Sequence, residues 1–135
     1  MKNFSLIAAL VLSCSSYALA ANPPPTFDCK ISQRNGNDVT YYAEGALTAD
    51  GYMEHGLVAN VPAYTREKLE VELTLTTFDE AKYGVLANLR ISTKRDMNIV
   101  NSISARYDLD TKLVEVSSGT IKGIAYFIIA ECTRN

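Results

Sequence analysis

The amino-acid sequence predicts an all-β fold: an antiparallel meander of about eight short strands, closed into a small barrel or folded into a sandwich, behind a cleavable export signal. Three observations carry this expectation. Apolar and polar residues alternate with a period of two in one segment after another, the spacing that turns one face of a strand to a core and the other to water. Turn-forming residues punctuate those segments at short intervals. Cys29 and Cys132 lie near opposite ends of the chain, where closure of a meander would make its first and last strands neighbours.

The N-terminal residues read as a secretory signal. Lys2 is followed by an apolar run from Leu6 to Leu12, a polar stretch from Ser13 to Ser16, and Ala18-Leu19-Ala20. That order is a basic region, an apolar region and a cleavage site with Ala18 and Ala20 at its small positions. The apolar run is far shorter than the roughly 20 residues that cross a bilayer as a helix, so removal is expected in place of anchoring. Cys14 offers an alternative, because Val11-Leu12-Ser13-Cys14 loosely resembles a lipoprotein box, with Leu12 where a small residue is usual. Lipidation at Cys14 would tether the domain to a membrane; the alanine site fits better. The expected organisation is a signal peptide over residues 1–20, an extended leader over 21–26 stiffened by Pro23, Pro24 and Pro25, and a single β domain over 27–135.

The elements follow in order. Phe27, Cys29 and Ile31 alternate with Asp28, Lys30 and Ser32, and residues 34–37 make a turn. Residues 39–47 are rich in tyrosine and β-branched side chains and stop at Asp50-Gly51, a pair suited to a tight reversal. Residues 52–59 are expected to return beside them. The pattern breaks at Pro62, Ala63 and Tyr64, and residues 65–68 could form one helical turn capped by Thr65. Leu69, Val71, Leu73 and Leu75 then oppose Glu70, Glu72, Thr74 and Thr76 in the clearest strand of the chain. After a turn at 79–84, Val85, Ala87, Leu89 and Ile91 repeat the alternation. Met97, Ile99, Ile103, Ala105 and Tyr107 continue it with Asn101 as a polar intruder, and 108–112 reverse the chain into 113–118. Gly119 and Gly123 bracket the last reversal. The final run is apolar on both faces, Tyr126 and Ile128 on one and Phe127 and Ile129 on the other. Either residues 57–64 pack over Phe127 and Ile129, or these two form an exposed interaction patch.

If Cys14 leaves with the signal, Cys29 and Cys132 have only each other to pair with, in a compartment that permits disulfides. A metal or redox site would need CxxC spacing or more than the single histidine present. The full chain carries a net charge of −2, and loss of Lys2 makes the remainder more acidic. Nucleic acid is therefore excluded as an expected partner, since phosphate affinity comes largely from Lys and Arg.

Catalytic and cofactor motifs are not found. His55, beside Glu54, has no GxSxG elbow to serve and is expected to be a solvated surface residue. Asp108 and Asp110 begin like a calcium loop, but Lys112 stands where a third oxygen ligand belongs. Glu70 and Glu72 share a strand face, as paired glycosidase carboxylates can, yet they flank leucines and are expected to be a solvated face. No catalytic, cofactor-binding or metal-ligating residue is assigned.

Phe27-x-Cys29, Val39-x-Tyr41 and the late cysteine resemble the framework of periplasmic lysozyme inhibitors, small disulfide-bearing β-barrels. The resemblance covers under a fifth of the chain, and the Ser-Gly-x-x-Tyr loop of such inhibitors is not present. What it implies is an inhibitor of a periplasmic enzyme. The residues themselves lead to a broader expectation: an exported, periplasmic or extracellular, non-catalytic module for a protein partner or a small apolar ligand, with a hydrolase built on an unrecognised carboxylate or His55 site as the alternative.

Overall fold

The computed structural model describes residues 23–64, 67–77, 84–94, 98–107, 112–121 and 124–135. Eight strands run through them: β1 (Thr26–Asn35), β2 (Asp38–Thr48), β3 (Leu57–Tyr64), β4 (Glu67–Thr77), β5 (Val85–Thr93), β6 (Ile99–Tyr107), β7 (Lys112–Ile121) and β8 (Ile124–Arg134), with a 3-10 turn at Met53–His55. They form two four-stranded sheets, ordered β2-β1-β8-β7 and β3-β4-β5-β6. Every ladder is antiparallel. The N-terminal features expected at Ala18 and Ala20, and at Cys14, lie outside the described residues, as does the loop holding Asp108 and Asp110.

Strand order around the molecule follows chain order, from β7 through β8, β1 and β2 to β3 and on to β6. The meander closes through β1 and β8, as a barrel does, but among the described residues no ladder joins β2 to β3 or β6 to β7. The result is a ring parted along two seams, and of the two architectures expected the chain takes the sandwich. Cys29 and Cys132 are directly opposed in the β1–β8 ladder, both buried, and their sulfurs are bonded at 2.04 Å.

Alternation builds the core. Phe27 and Ile31 of β1, the four apolar residues from Leu69 to Leu75 of β4, the four from Val85 to Ile91 of β5, and Tyr126 and Ile128 of β8 all turn inward and are buried. Full burial of a side chain of this size stabilises by about 1.5–3 kcal/mol relative to exposure. A two-residue loop, with Gly36 at φ 59°, joins β1 to β2.

Three local expectations are corrected. Residues 52–59 do not return beside β2: after Gly51, at φ 78°, the chain makes the 3-10 turn and crosses to the other sheet. The crossing is held by an isolated bridge from Asp50 to Thr76, with Gly51 N donating to Leu75 O at 2.9 Å and Thr77 N to Ala49 O at 3.0 Å. The helical turn expected over 65–68 is overturned at its C-terminal half, because Glu67 and Lys68 already pair with Tyr64 and Pro62. Pro62 is tolerated because β3 is an edge strand. Gly119 lies within β7, opposite Tyr126, and not at a reversal; a Cβ there would come within 2.6 Å of the Tyr126 hydroxyl, so the glycine makes room for that ring.

Side chains span the seams. At the first, Gly45 leaves a gap on the inner face, where a Cβ would meet Leu57 Cδ1 at 3.4 Å. At the second, Asn101 Nδ2 donates to Ser117 Oγ at 2.8 Å. The Tyr107 hydroxyl lies 2.6 Å from Val114 O and 2.7 Å from Glu115 Oε1, sharing its one proton between them. Asn101, the polar intruder of the sequence, is thus a tie across a gap that backbone bonds do not close.

Candidate functional site

Two outer faces carry the features that a partner or ligand could read. On the β3-β4-β5-β6 sheet, residues opposed in the ladders share a face, which gives a cross-strand row of Val58, Glu72, Arg90 and Ser102. A second row is Thr74, Asn88 and Ser104. Gly51, Glu72, Thr74, Thr76, Asn88, Arg90 and Ser102 line a cavity of about 280 Å³.

Glu72 departs from its expected solvated state. It points away from the core, yet only 9% of it is exposed. The Arg90 guanidinium is ion-paired with its carboxylate, and the Asp50-Gly51 crossing lies against Thr76 on the same strand. Glu70 is only partly exposed. Sequence reasoning missed this groove because alternation assigns a side chain to a face but does not show what crosses over that face. The available signal was the placement of Arg90 and Glu72, each at an outward position of a strongly alternating strand.

The same crossing holds the chain's one histidine. His55 Nδ1 donates to Asp50 Oδ2 at 2.7 Å, and Tyr52 N donates to Asp50 Oδ1 at 3.0 Å. The His55 hydrogen bond, and after it the one from Tyr52, holds the Asp50 carboxyl below its ordinary pKa. The imidazole side chain is 57% exposed, in edge contact with the Tyr52 ring. Glu54 is exposed. A carboxylate orienting a histidine is two-thirds of a nucleophilic triad, but among the described residues the ring's hydrogen bond goes to Asp50. Among those residues no group of three His, Cys, Asp or Glu side chains is arranged to hold a metal ion. No described helix is long and apolar enough to cross a membrane.

The outer face of the β2-β1-β8-β7 sheet is apolar at its centre. Val116, Ile129, Ser32 and Tyr41 form one row across all four strands, in which Ser32 is polar and buried. Tyr41 is 62% exposed and Val116 42%; Ile129 and Phe127 are half-buried. Val114 and Val39 extend the exposed apolar surface on the two edge strands. Residues 57–64 belong to the opposite sheet, so they do not cover Phe127 and Ile129. Ion pairs flank the row, Lys30 with Glu44 at 3.6 Å and Lys112 with Glu131 at 3.3 Å.

Comparison of the chain with protein-family models, with curated proteins and with solved structures finds no match.

Proposed function

We propose that the protein is an exported, non-catalytic interaction module that captures a protein partner on the outer face of the β2-β1-β8-β7 sheet. The observation that carries this reading is the pair of exposed apolar residues Tyr41 and Val116 on the two edge strands of this face, with half-buried Ile129 and buried Ser32 between them. Such surfaces mark contact sites on proteins of this size, and tyrosine offers a large, amphipathic contact area with little rotamer freedom to lose. Flanking pairs of both signs suit a partner whose own contact surface is apolar in the middle and mixed in charge at its rim.

A protein is preferred to a small apolar ligand because large side chains from both sheets, among them Phe27, Leu73, Leu89 and Ile128, fill the space between them. An enzyme as the captured protein would make the module an inhibitor, the narrower form of the same reading. Export rests on the residue order before Ala20 and on a disulfide, a bond kept in oxidising compartments.

The test is affinity capture from an envelope extract with the full chain and a Tyr41→Asp/Val116→Asp variant. Both positions are exposed, so the variant should keep its thermal transition within a few degrees and lose the captured protein. Equal capture by the variant, or nothing captured by the wild type, would sink the proposal. The hydrolase alternative is favoured only by the Asp50–His55 pair; any activity found that survives His55→Ala removes that support.

A further inference from the structure

We infer that the groove on the β3-β4-β5-β6 sheet is a binding site for a neutral, polyhydroxylated ligand, a sugar ring of an oligosaccharide. It lies on the other sheet from the apolar row and does not depend on it.

Local pattern places the Glu72 carboxylate in water, and the fold withdraws it. Glu72 keeps 9% of its surface while standing on the outer face, opposite Val58 on one side and Arg90 on the other. Withdrawing the carboxylate of an ion pair from water is unfavourable unless its remaining acceptors are met, while Arg90 keeps 34% of its side chain open at the mouth of the groove. Arg90 carries five N–H donors and the Glu72 carboxylate about four acceptor sites, so the pair leaves hydrogen-bonding capacity on both partners. That capacity faces a cavity whose other side chains are hydroxyls and an amide: Thr74, Thr76, Ser102 and Asn88. The Ser104 hydroxyl donates to Asn88 Oδ1 at 2.6 Å, an arrangement that commits the amide's oxygen and leaves its NH2 to donate.

The chemistry of this lining selects the ligand. One acid and one base in contact give no net charge, so a phosphate or carboxylate drawn to Arg90 would also meet Glu72 and be repelled. An apolar ligand would desolvate the pair with nothing in return. Vicinal hydroxyls, each a donor and an acceptor, answer both an acceptor-only carboxylate and a donor-only guanidinium in adjacent positions. The cavity, about 280 Å³, is near the lower end for small-ligand sites and suits one ring of a longer chain. Its wall is fixed in advance. Gly51 sits at φ 78°, and a Cβ there would fall 2.8 Å from Thr76 Oγ1, so the crossing is seated on the strand with no slack.

The experiment is an amide NMR titration of the 15N-labelled full chain with cellotetraose, maltotetraose and chitotetraose, each to about 10 mM, enough to nearly saturate a site with a Kd of about 1 mM. Inorganic phosphate is titrated as a fourth arm. At least one sugar should produce saturable shifts at Gly51, Thr74, Thr76, Asn88 and Ser102, and phosphate should not. A Glu72→Leu/Arg90→Met variant, which removes the pair without stranding one charge, should weaken binding at least tenfold. If that variant fails to fold, Ser102→Val, at an exposed position, provides the same reading. Absence of shifts with all three sugars, shifts mapping elsewhere, affinity unchanged in a folded variant, or the same shifts with phosphate would each overturn the inference.

Discussion

Tyr107 and Glu115 show how much one side chain does at the second seam. Glu115 faces inward on β7 and is 5% exposed, and the Tyr107 hydroxyl donates to its Oε1 at 2.7 Å. Burial, then the hydrogen bond to Glu115 and its charge, push the Tyr107 pKa up to about 12. A phenol whose pKa rises on folding contributes stability that is complete below its unfolded value near 10 and is lost as pH climbs through the folded value. Chemical unfolding followed from pH 9 upward should therefore show stability falling between about 10 and 12, and Tyr107→Phe should abolish that component. The same variant strands the Glu115 carboxylate and should cost about 1–3 kcal/mol at neutral pH. Asp50 has the opposite sign. Its lowered pKa gives stability present above the unfolded aspartate value and lost as pH falls through the folded one. His55→Ala should move the Asp50 carboxyl titration, read by carbon NMR, back up toward the ordinary range; an unmoved titration would show that the imidazole does not hold it.

Among the elements, β4 and β5 were the most legible because their apolar residues alternate without interruption and both strands lie inside a sheet. What local pattern could not show was the partner of each strand. The apolar alternation near Leu57 fits a strand paired with β2 as well as one paired with β4; the bridge from Asp50 to Thr76 decides between them, and that bridge depends on residues far apart in sequence. Gly119 was misread for the same reason, since a glycine made necessary by a ring across the ladder looks in sequence like a glycine at a turn. Gly119→Ala should destabilise by about 1–3 kcal/mol through overpacking against Tyr126. The cost should shrink in a Tyr126→Leu background, and equal costs in both backgrounds would show that the ring is not the cause. The groove followed the same rule: Glu72 was placed on its correct face, but its withdrawal from water comes from Arg90 on the neighbouring strand.

At the scale of the molecule, the disulfide was legible because two cysteines allow one pairing, while barrel and sandwich were not separable, since both turn the same side chains inward. The Cys29–Cys132 bond spans a sequence separation of 103. The loop it closes is worth about 4–5 kcal/mol by chain entropy, comparable with the whole stability of a small domain. A Cys29→Ala/Cys132→Ala chain should lose several kcal/mol in denaturant unfolding; a loss under about 1 kcal/mol would mean the β1–β8 ladder holds without it. Among the described residues, five of the six ladders join strands that are neighbours along the chain, and β1–β8 is the exception. β8, made after the other seven strands, is an interior plank of its sheet, flanked by β1 and β7. Until it arrives, both flanking strands offer bare backbone to any passing polypeptide, so a nascent chain that still lacks the eleven residues of β8 is the form most in need of a chaperone.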